Sequence, residues 1–333
     1  MIKYNYQDYL FISSRIRAME NSLISRETLK NMSEARSEDE LYTVLEDSGI
    51  QSVTGEYGEK SFEPFLRELL SVAYKDVLKS VPEPQLFTFF TYPYDCHNLK
   101  AAIKCSEKGE GADDVLLPYG SISVEDVKEA VRTRSFDVFP ENMAEAASKA
   151  IESFAKSRNP QDIDLLLDSA LFSDMKESAK ENPIDFFSRI LTVKADTVNV
   201  LSAIRIIKTG GGYPLFERAF ADGGSLSITF FATAFDSGLA SFSEVLSSSE
   251  EYSSLSNAFS GDSVNVTEAE KISEKLLASQ INKARNVQAG AEVVAGYIAA
   301  VETQVKNIRI LITGKKLKAK AEDLFERLCK DYV

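Results

Sequence analysis

Tyr94-Asp95-Cys96-His97-Asn98-Leu99-Lys100-Ala101-Ala102-Ile103-Lys104 is answered, 101 residues later and without a gap, by Ala195-Asp196-Thr197-Val198-Asn199-Val200-Leu201-Ser202-Ala203-Ile204-Arg205. Upstream, the same offset pairs Leu66 with Leu167, Leu70 with Leu171, Lys75 with Lys176, Lys79 with Lys180, Pro82 with Pro183 and Thr91 with Thr192. The chain therefore carries a duplicated unit. Similar supersecondary units bury their apolar faces by packing copy against copy, so a scaffold with internal pseudosymmetry is expected.

Each copy reads as helical. A first helix, about Phe62 to Lys79 and then about Gln161 to Lys180, has apolar residues at spacings of three and four and stops before Pro82 or Pro183. A second helix carries Asp95, Asn98 and Lys104, or Asp196, Asn199 and Arg205, and ends at Gly109 to Gly111 or Gly210 to Gly212. A loop and a shorter helix complete the unit, with Gly120-Ser121-Ile122-Ser123 answered by Gly224-Ser225-Leu226-Ser227. A more eroded third copy follows, its first helix over Thr267 to Asn286 and its second over Val294 to Thr313. Setting Asn307 against Asn98 pairs Arg309 with Lys100, but leaves Glu302 too far upstream to take the place of Asp95. The N-terminal Leu23-Ile24 and the helix near Glu40 to Leu45 mirror the back half of the other copies. Ser37 to Glu40, Ser123 to Asp126 and Thr267 to Glu270 each pair a hydroxyl with an acidic residue three positions on, a helix-start signal.

Alternating strand patterns are scarce, so the expected class is all-α. The expected division is residues 1–60 as helices completing the assembly, then repeats over 61–160, 161–265 and a shortened 266–333.

Composition narrows the function. With a net charge of −13 the chain repels phosphate backbones and anionic surfaces as a whole, so nucleic acid is a poor partner. The exception is a basic tail, Lys306, Arg309, Lys315, Lys316, Lys318 and Lys320, suited to a solvated helix face or an acidic partner. No stretch approaches the roughly 18 apolar residues of a membrane span, and Met1 to Tyr6 has no leader-like pattern, which points to the cytosol or a cytosolic surface. Cys96, Cys105 and Cys329 form no CxxC pair and read as reduced structural thiols.

The residues offer little for catalysis. There is no phosphate-binding glycine loop: Gly210-Gly211-Gly212 leads into Tyr213-Pro214, and Gly314-Lys315 lacks the earlier glycine. The single histidine, His97, excludes paired-histidine metal motifs and reads as an ordinary helix residue. No cofactor or metal site is expected. Asp95 and Asn98 lie three apart on one helix face. A catalytic group is needed once, whereas a group that pins a helix or joins neighbouring copies is needed in each, which favours a structural motif of Asp95, Asn98, Lys104, Asp196, Asn199, Arg205, Glu302, Asn307 and Arg309.

Arg15-Ile16-Arg17-Ala18-Met19-Glu20, Tyr94 to Lys100, Ala195 to Val200, and Tyr297 with Glu302 and Asn307-Ile308-Arg309-Ile310 resemble the C subunit of the bacterial and archaeal V-type (A-type) ATPases, related to the eukaryotic d subunit. The similarity runs in order over essentially the whole chain. Departures are Val200-Leu201, where a leucine and a basic residue are usual, and Gly290-Ala291, where a proline is common. The resemblance implies three helical repeats about a pseudo-threefold axis forming a funnel. It implies a non-catalytic central-stalk rotor component, a socket between the central shaft and the membrane proteolipid ring that transmits torque for proton or sodium transport. Such a component is peripheral, on the cytoplasmic face of the membrane. The residues taken alone also fit a helical-repeat interaction scaffold unrelated to a motor, or a polar pocket built from the Asp/Asn/Lys helices.

Overall fold

The computed structural model describes residues 3–54 and 60–329. Helix accounts for 73% and strand for 2%, so the class is all-α. The helices, in chain order, are α1 (Leu10–Glu20), α2 (Arg26–Glu34), α3 (Glu38–Asp47), α4 (Glu63–Ser71), α5 (Thr88–Lys108), α6 (Val124–Thr133) and α7 (Glu141–Ser157). They continue with α8 (Gln161–Glu181), α9 (Asp185–Lys208), α10 (Tyr213–Ala219), α11 (Ile228–Ser247), α12 (Val266–Ile281), α13 (Ala291–Lys316) and α14 (Ala321–Arg327). Two antiparallel two-residue ladders, Val53–Thr54 with Lys60–Ser61 and Phe259–Ser260 with Ser263–Val264, are the strands of the described residues.

Helix ends follow the expected signals closely. The first helix of copy 1 continues from α4 through a π-helical segment, Val72–Val77, and that of copy 2 ends at Glu181. Gly109 and Gly210 adopt positive φ where α5 and α9 stop, the left-handed conformation that a glycine enters without a Cβ clash. Ser37 and Ser123 accept from the backbone N–H groups of Glu40 and Asp126, as their motifs predict. Thr267 does not cap α12. That helix begins a residue earlier, and Asn265 accepts from the N–H of Glu268 instead, because the amide sits in the half-in position that Thr267 has already passed. Two features lack a strong sequence signal. Pro93 lies inside α5 on its exposed side, where the carbonyl it leaves unpaired can meet water. Gly238, at φ 84°, breaks α11 into two helical pieces.

The chain forms two compact units. One spans Gln85–Gln280; the other joins Tyr4–Pro84 to the chain from Ile281 onward. One boundary falls between the first and second helix of copy 1 and the other at the end of α12, the first helix of copy 3, so the compact units and the copies are different divisions of the chain.

In the first unit, α5, α6, α7 and α8 surround a core containing Leu99, Ile103, Val127, Met143, Ala147, Ile163 and Leu167. A second core, with Val200, Ile204, Phe216, Phe231, Phe242 and Leu255, forms around α9 and α11. There Phe216 and Phe231 meet at 5.0 Å between ring centroids and Phe231 and Phe242 at 5.9 Å, so aromatic packing replaces the alanine-rich contacts of the first core. In the second unit α13 packs against α1, α3 and α4. Buried residues occur all round α13, as expected of a helix that runs through a core rather than over it.

Candidate functional site

The recurring motif resolves into one device, built three times: polar side chains of a second helix hold the backbone of the loop that follows it. In copy 1 the Asp95 carboxylate, fully buried, accepts from the N–H of Ser121 (3.1 Å), the hydroxyl of Ser121 (2.6 Å) and the N–H of Ile122 (3.0 Å). One turn on, Asn98 Oδ1 accepts from the Leu117 N–H at 2.8 Å while its Nδ2 donates to the Leu117 carbonyl at 2.7 Å. An amide is the group required there, since it alone offers a donor and an acceptor side by side to both backbone groups of one residue. Burial pushes the Asp95 carboxyl above its usual range, and the Ser121 and Ile122 donors recover part of that shift. The approach is so close that a Cβ on Gly120 would collide with Asp95 Oδ1, which explains the glycine before Ser121.

Copy 2 repeats the arrangement atom for atom. Asp196 accepts from Ser225 N–H (2.9 Å), Ser225 hydroxyl (2.7 Å) and Leu226 N–H (3.0 Å), and Asn199 exchanges two 2.8 Å bonds with Ala221. Gly224 stands where Gly120 stands, for the same steric reason. Copy 2 adds a fourth donor, the Tyr252 hydroxyl at 2.7 Å. Burial, and then the bond to Asp196, hold that phenol well above its usual range, so it remains a donor.

In copy 3 Asn307 exchanges bonds with Cys329, accepting from its N–H at 2.8 Å and donating to its carbonyl at 3.2 Å. The residue three before Asn307, in the place of Asp95, is Gln304. Its Oε1 accepts from the N–H of Ile24 at 2.8 Å. Ile24 precedes Ser25, the N-cap of α2, as Ile122 precedes Ser123, the N-cap of α6, and Leu226 precedes Ser227, the N-cap of α11. The donor lies 280 residues away, so it is the N-terminal segment that supplies the loop held by Gln304. Glu302 accepts instead from the Tyr74 hydroxyl at 2.7 Å. Arg17, from the N-terminal motif, bonds both Glu20 carboxylate oxygens at 2.9 Å and donates to the Val287 carbonyl at 2.7 Å, tying α1 to the segment before α13.

The basic members of the motif reach across to another copy. Lys104 on α5 pairs with Asp164 on α8 at 2.5 Å, and Lys100 with Asp168 at 2.6 Å. Arg205 on α9 pairs with Glu270 on α12 at 2.5 Å, and Arg309 on α13 with Glu63 on α4 at 2.5 Å. A second helix is thus tied in turn to the first helix of copy 2, of copy 3 and of copy 1. Glu63 and Asp164 are themselves 101 residues apart, at matching positions of their helices. These pairs are substantially exposed, so each is worth little stability and acts mainly on register.

Gln304, Tyr252 and the acidic partners are the working residues that the sequence reading missed. The spacing of Gln304 before Asn307, together with Ile24-Ser25, is the signal that could have found the first. Elsewhere the side chains of the described residues stand in structural rather than paired acid–base arrangements. Among the described residues no group of three or more His, Cys, Asp or Glu side chains could hold a metal ion. His97 is exposed, with Nε2 3.2 Å from the Val115 carbonyl. Burial pushes the Cys96 thiol up to about 12, too high for a nucleophile. An open groove of about 650 Å³ between α1 and residues 288–289 contains Arg17, which is already engaged, and no acid/base pair. No helix of the described residues is long and apolar enough to cross a membrane.

The family model for the ATP synthase (C/AC39) subunit matches residues 12–327. The chain is 23% identical to the C subunit of the V-type sodium ATPase of Enterococcus hirae over 325 residues, covering 98% of this chain and 99% of that one. It is also 23% identical to the C subunit of the A-type ATP synthase of Methanocaldococcus jannaschii, covering 95% of this chain and 85% of the relative. The match takes in all three copies of the second-helix motif and nearly all of the N-terminal segment that completes the third, and on that basis the chain belongs to the ATP synthase (C/AC39) subunit family.

Proposed function

We propose that this chain is the non-catalytic central-stalk component of a V- or A-type rotary ATPase. In this reading it is the socket that joins the central shaft to the membrane proteolipid ring and passes torque between ATP turnover and ion transport. It works peripherally, on the cytoplasmic side of the membrane. The observation that carries the reading is the order of the ion pairs, in which copy 1 is tied to copy 2, copy 2 to copy 3 and copy 3 back to copy 1. A torque-bearing frame needs this property: a load entering at one copy is handed to the next through helix packing, rather than absorbed by an open chain end. The polar motif then serves as the joint, with repeats over 61–160, 161–265 and 266–333 about a pseudo-threefold axis, and residues 1–60 closing the third. Asp95, Asn98, Asp196, Asn199 and Asn307 hold shape and catalyse nothing.

A socket seated on a ring of different symmetry cannot match every ring protomer residue for residue, so polar, adaptable contacts suit the ring side. The acidic chain calls for a charge-complementary grip on the shaft. The test is purification of the intact ATPase from cells carrying an affinity tag on this chain. Shaft and proteolipid ring are expected in the eluate, and shaft binding is expected to weaken between low and physiological salt. Absence of the chain from an active complex would refute the assignment.

A further inference from the structure

The three second helices end in the same turn, and the third ends with different chemistry. After α5, Gly109 N–H donates to Ser106 and Glu110 N–H to Cys105; after α9, Gly210 donates to Ile207 and Gly211 to Ile206; after α13, Lys318 donates to Lys315 and Ala319 to Gly314. In each turn the residue in the left-handed region is the equivalent one, with φ of 74° at Gly109, 77° at Gly210 and 56° at Lys318. Glycine is the residue that meets this conformation without strain, and copies 1 and 2 use it. Copy 3 places a lysine there, as Arg134 and Arg158 stand at φ 56° and 55° after α6 and α7, and so carries a cation at the apex of the turn.

The surroundings make that apex a built feature rather than a frayed end. Lys315 donates to the carbonyls of Ser33 and Ala35 at 2.6 Å each, capping α2 and fixing the base of the turn. Leu324 of α14 is buried against Gly314, where a Cβ would collide with it. On this base stand Lys316, Leu317, Lys318 and Lys320, all exposed, with Leu317 77% exposed. None of the three lysines has an ion-pair partner among the described residues; the nearby Glu322 and Asp323 lie in the first turn of α14, at its positive end.

We infer that this turn is a docking element for an anionic lipid bilayer, with the lysines at the headgroups and Leu317 entering the acyl boundary. Three observations select a bilayer over an acidic protein. The cations are all lysine, the residue depleted at protein–protein interfaces, where arginine is favoured. The apolar residue is a single leucine at the tip of a basic turn, the pattern of an interfacial anchor rather than of a buried hot-spot cluster. And a chain of net charge −13 is repelled as a whole by an anionic surface, so an exposed basic patch also orients it there. The inference does not depend on the rotor reading, since vesicle binding is measured on the isolated chain.

The test is co-sedimentation of the full-length chain with phosphatidylcholine vesicles, with and without phosphatidylglycerol. Binding is expected to the anionic vesicles alone and to fall with added salt. Lys318→Gly removes one cation and the backbone strain together, so partitioning should weaken about fivefold while thermal stability holds or rises. Loss of binding through misfolding would lower both. Lys316→Glu and Leu317→Ser should each weaken binding as well. Equal binding to neutral and anionic vesicles, or unchanged binding in all three variants, would overturn the proposal. So would no vesicle binding combined with loss of these variants from the assembled ATPase, an outcome that identifies an acidic protein as the partner.

Discussion

The polar joints of copies 1 and 2 and the joint of copy 3 occupy equivalent places and use different chemistry. Asp95 and Asp196 are buried carboxylates that gather three and four donors; Gln304 is a neutral amide that takes one backbone N–H. A buried charge is tolerated only when hydrogen bonds replace its hydration. The loops after α5 and α9 bring two amides and a serine hydroxyl to one point, enough to hold a carboxylate. In copy 3 the equivalent of Ser121 and Ser225 is Leu23, which has no hydroxyl to give. With one donor left, an amide is the side chain that can be buried without an uncompensated charge. The acceptor thus follows the donor count, and the copy assembled from two distant chain segments has the leanest joint.

If donor count governs these joints, truncation should cost most in copy 2. Asp196→Ala strands two backbone amides and two hydroxyls and is expected to destabilise by about 4 kcal/mol, and Asp95→Ala, with no tyrosine, by about 3 kcal/mol. Denaturant unfolding gives the totals. Because the chain has two compact units, amide exchange at Ser225–Leu226 and Ser121–Ile122 is the sharper measurement. Tyr252→Phe should remove about 1 kcal/mol from wild type and almost nothing from Asp196→Ala. Equal losses in the two aspartate variants would break the comparison.

The two acceptor types also differ in their response to pH. Burial raises Asp95 above the ordinary aspartate value of 3.8, so the folded chain binds this proton more tightly than the unfolded chain does. The associated stability is fully present below 3.8 and is lost as pH rises through the raised value. Asp95→Asn, which cannot ionise, removes that dependence. Its deficit relative to wild type should therefore shrink as pH climbs through the window, followed by urea midpoints at successive pH values. Gln304→Asn, changing a neutral group, should give a pH-independent difference.

Much of this was legible in the chain itself. The ungapped match around Asp95 and Asp196 gave the duplication, and proline and glycine punctuation gave the first and second helices nearly to the residue, because those signals are local and steric. Asn98, Asn199 and Asn307 kept their identity since only an amide bonds both backbone groups of one residue. What was hidden is non-local or chemically disguised. Gln304 is no aspartate, so identity matching passed over it for Glu302. Its partner Ile24 lies 280 residues away, and no spacing rule joins the two. The acidic residues that receive Lys104, Arg205 and Arg309 sit in other copies, where exposed carboxylates are common and nothing local marks them.

Gln304→Ala is expected to cost about 1 kcal/mol, the smallest loss among the three joints, since one neutral bond is removed. The effect should be confined to the N-terminal segment, seen as faster exchange of the Ile24 amide with Ser121 and Ser225 unchanged.

Smaller still are the ties between copies. Arg309 and Glu63 are 45% and 40% exposed, so Arg309→Ala should cost about 0.5 kcal/mol at low salt and nearly nothing at high salt. A small global loss does not make the pair idle, because α4 and the joint of copy 3 meet on α13, and a register shift of α4 there needs no unfolding. The discriminating experiment is charge reversal. Arg309→Glu places two carboxylates together and should raise amide exchange along α4, and adding Glu63→Arg should restore it, while the matching swap at Arg205 and Glu270 acts on α12 alone. Restoration by the double reversal in both places would show that copies of unequal joint strength are held in register by the same exchangeable pair. Failure at α4 alone would mean that the leaner joint of copy 3 depends on packing rather than on charge.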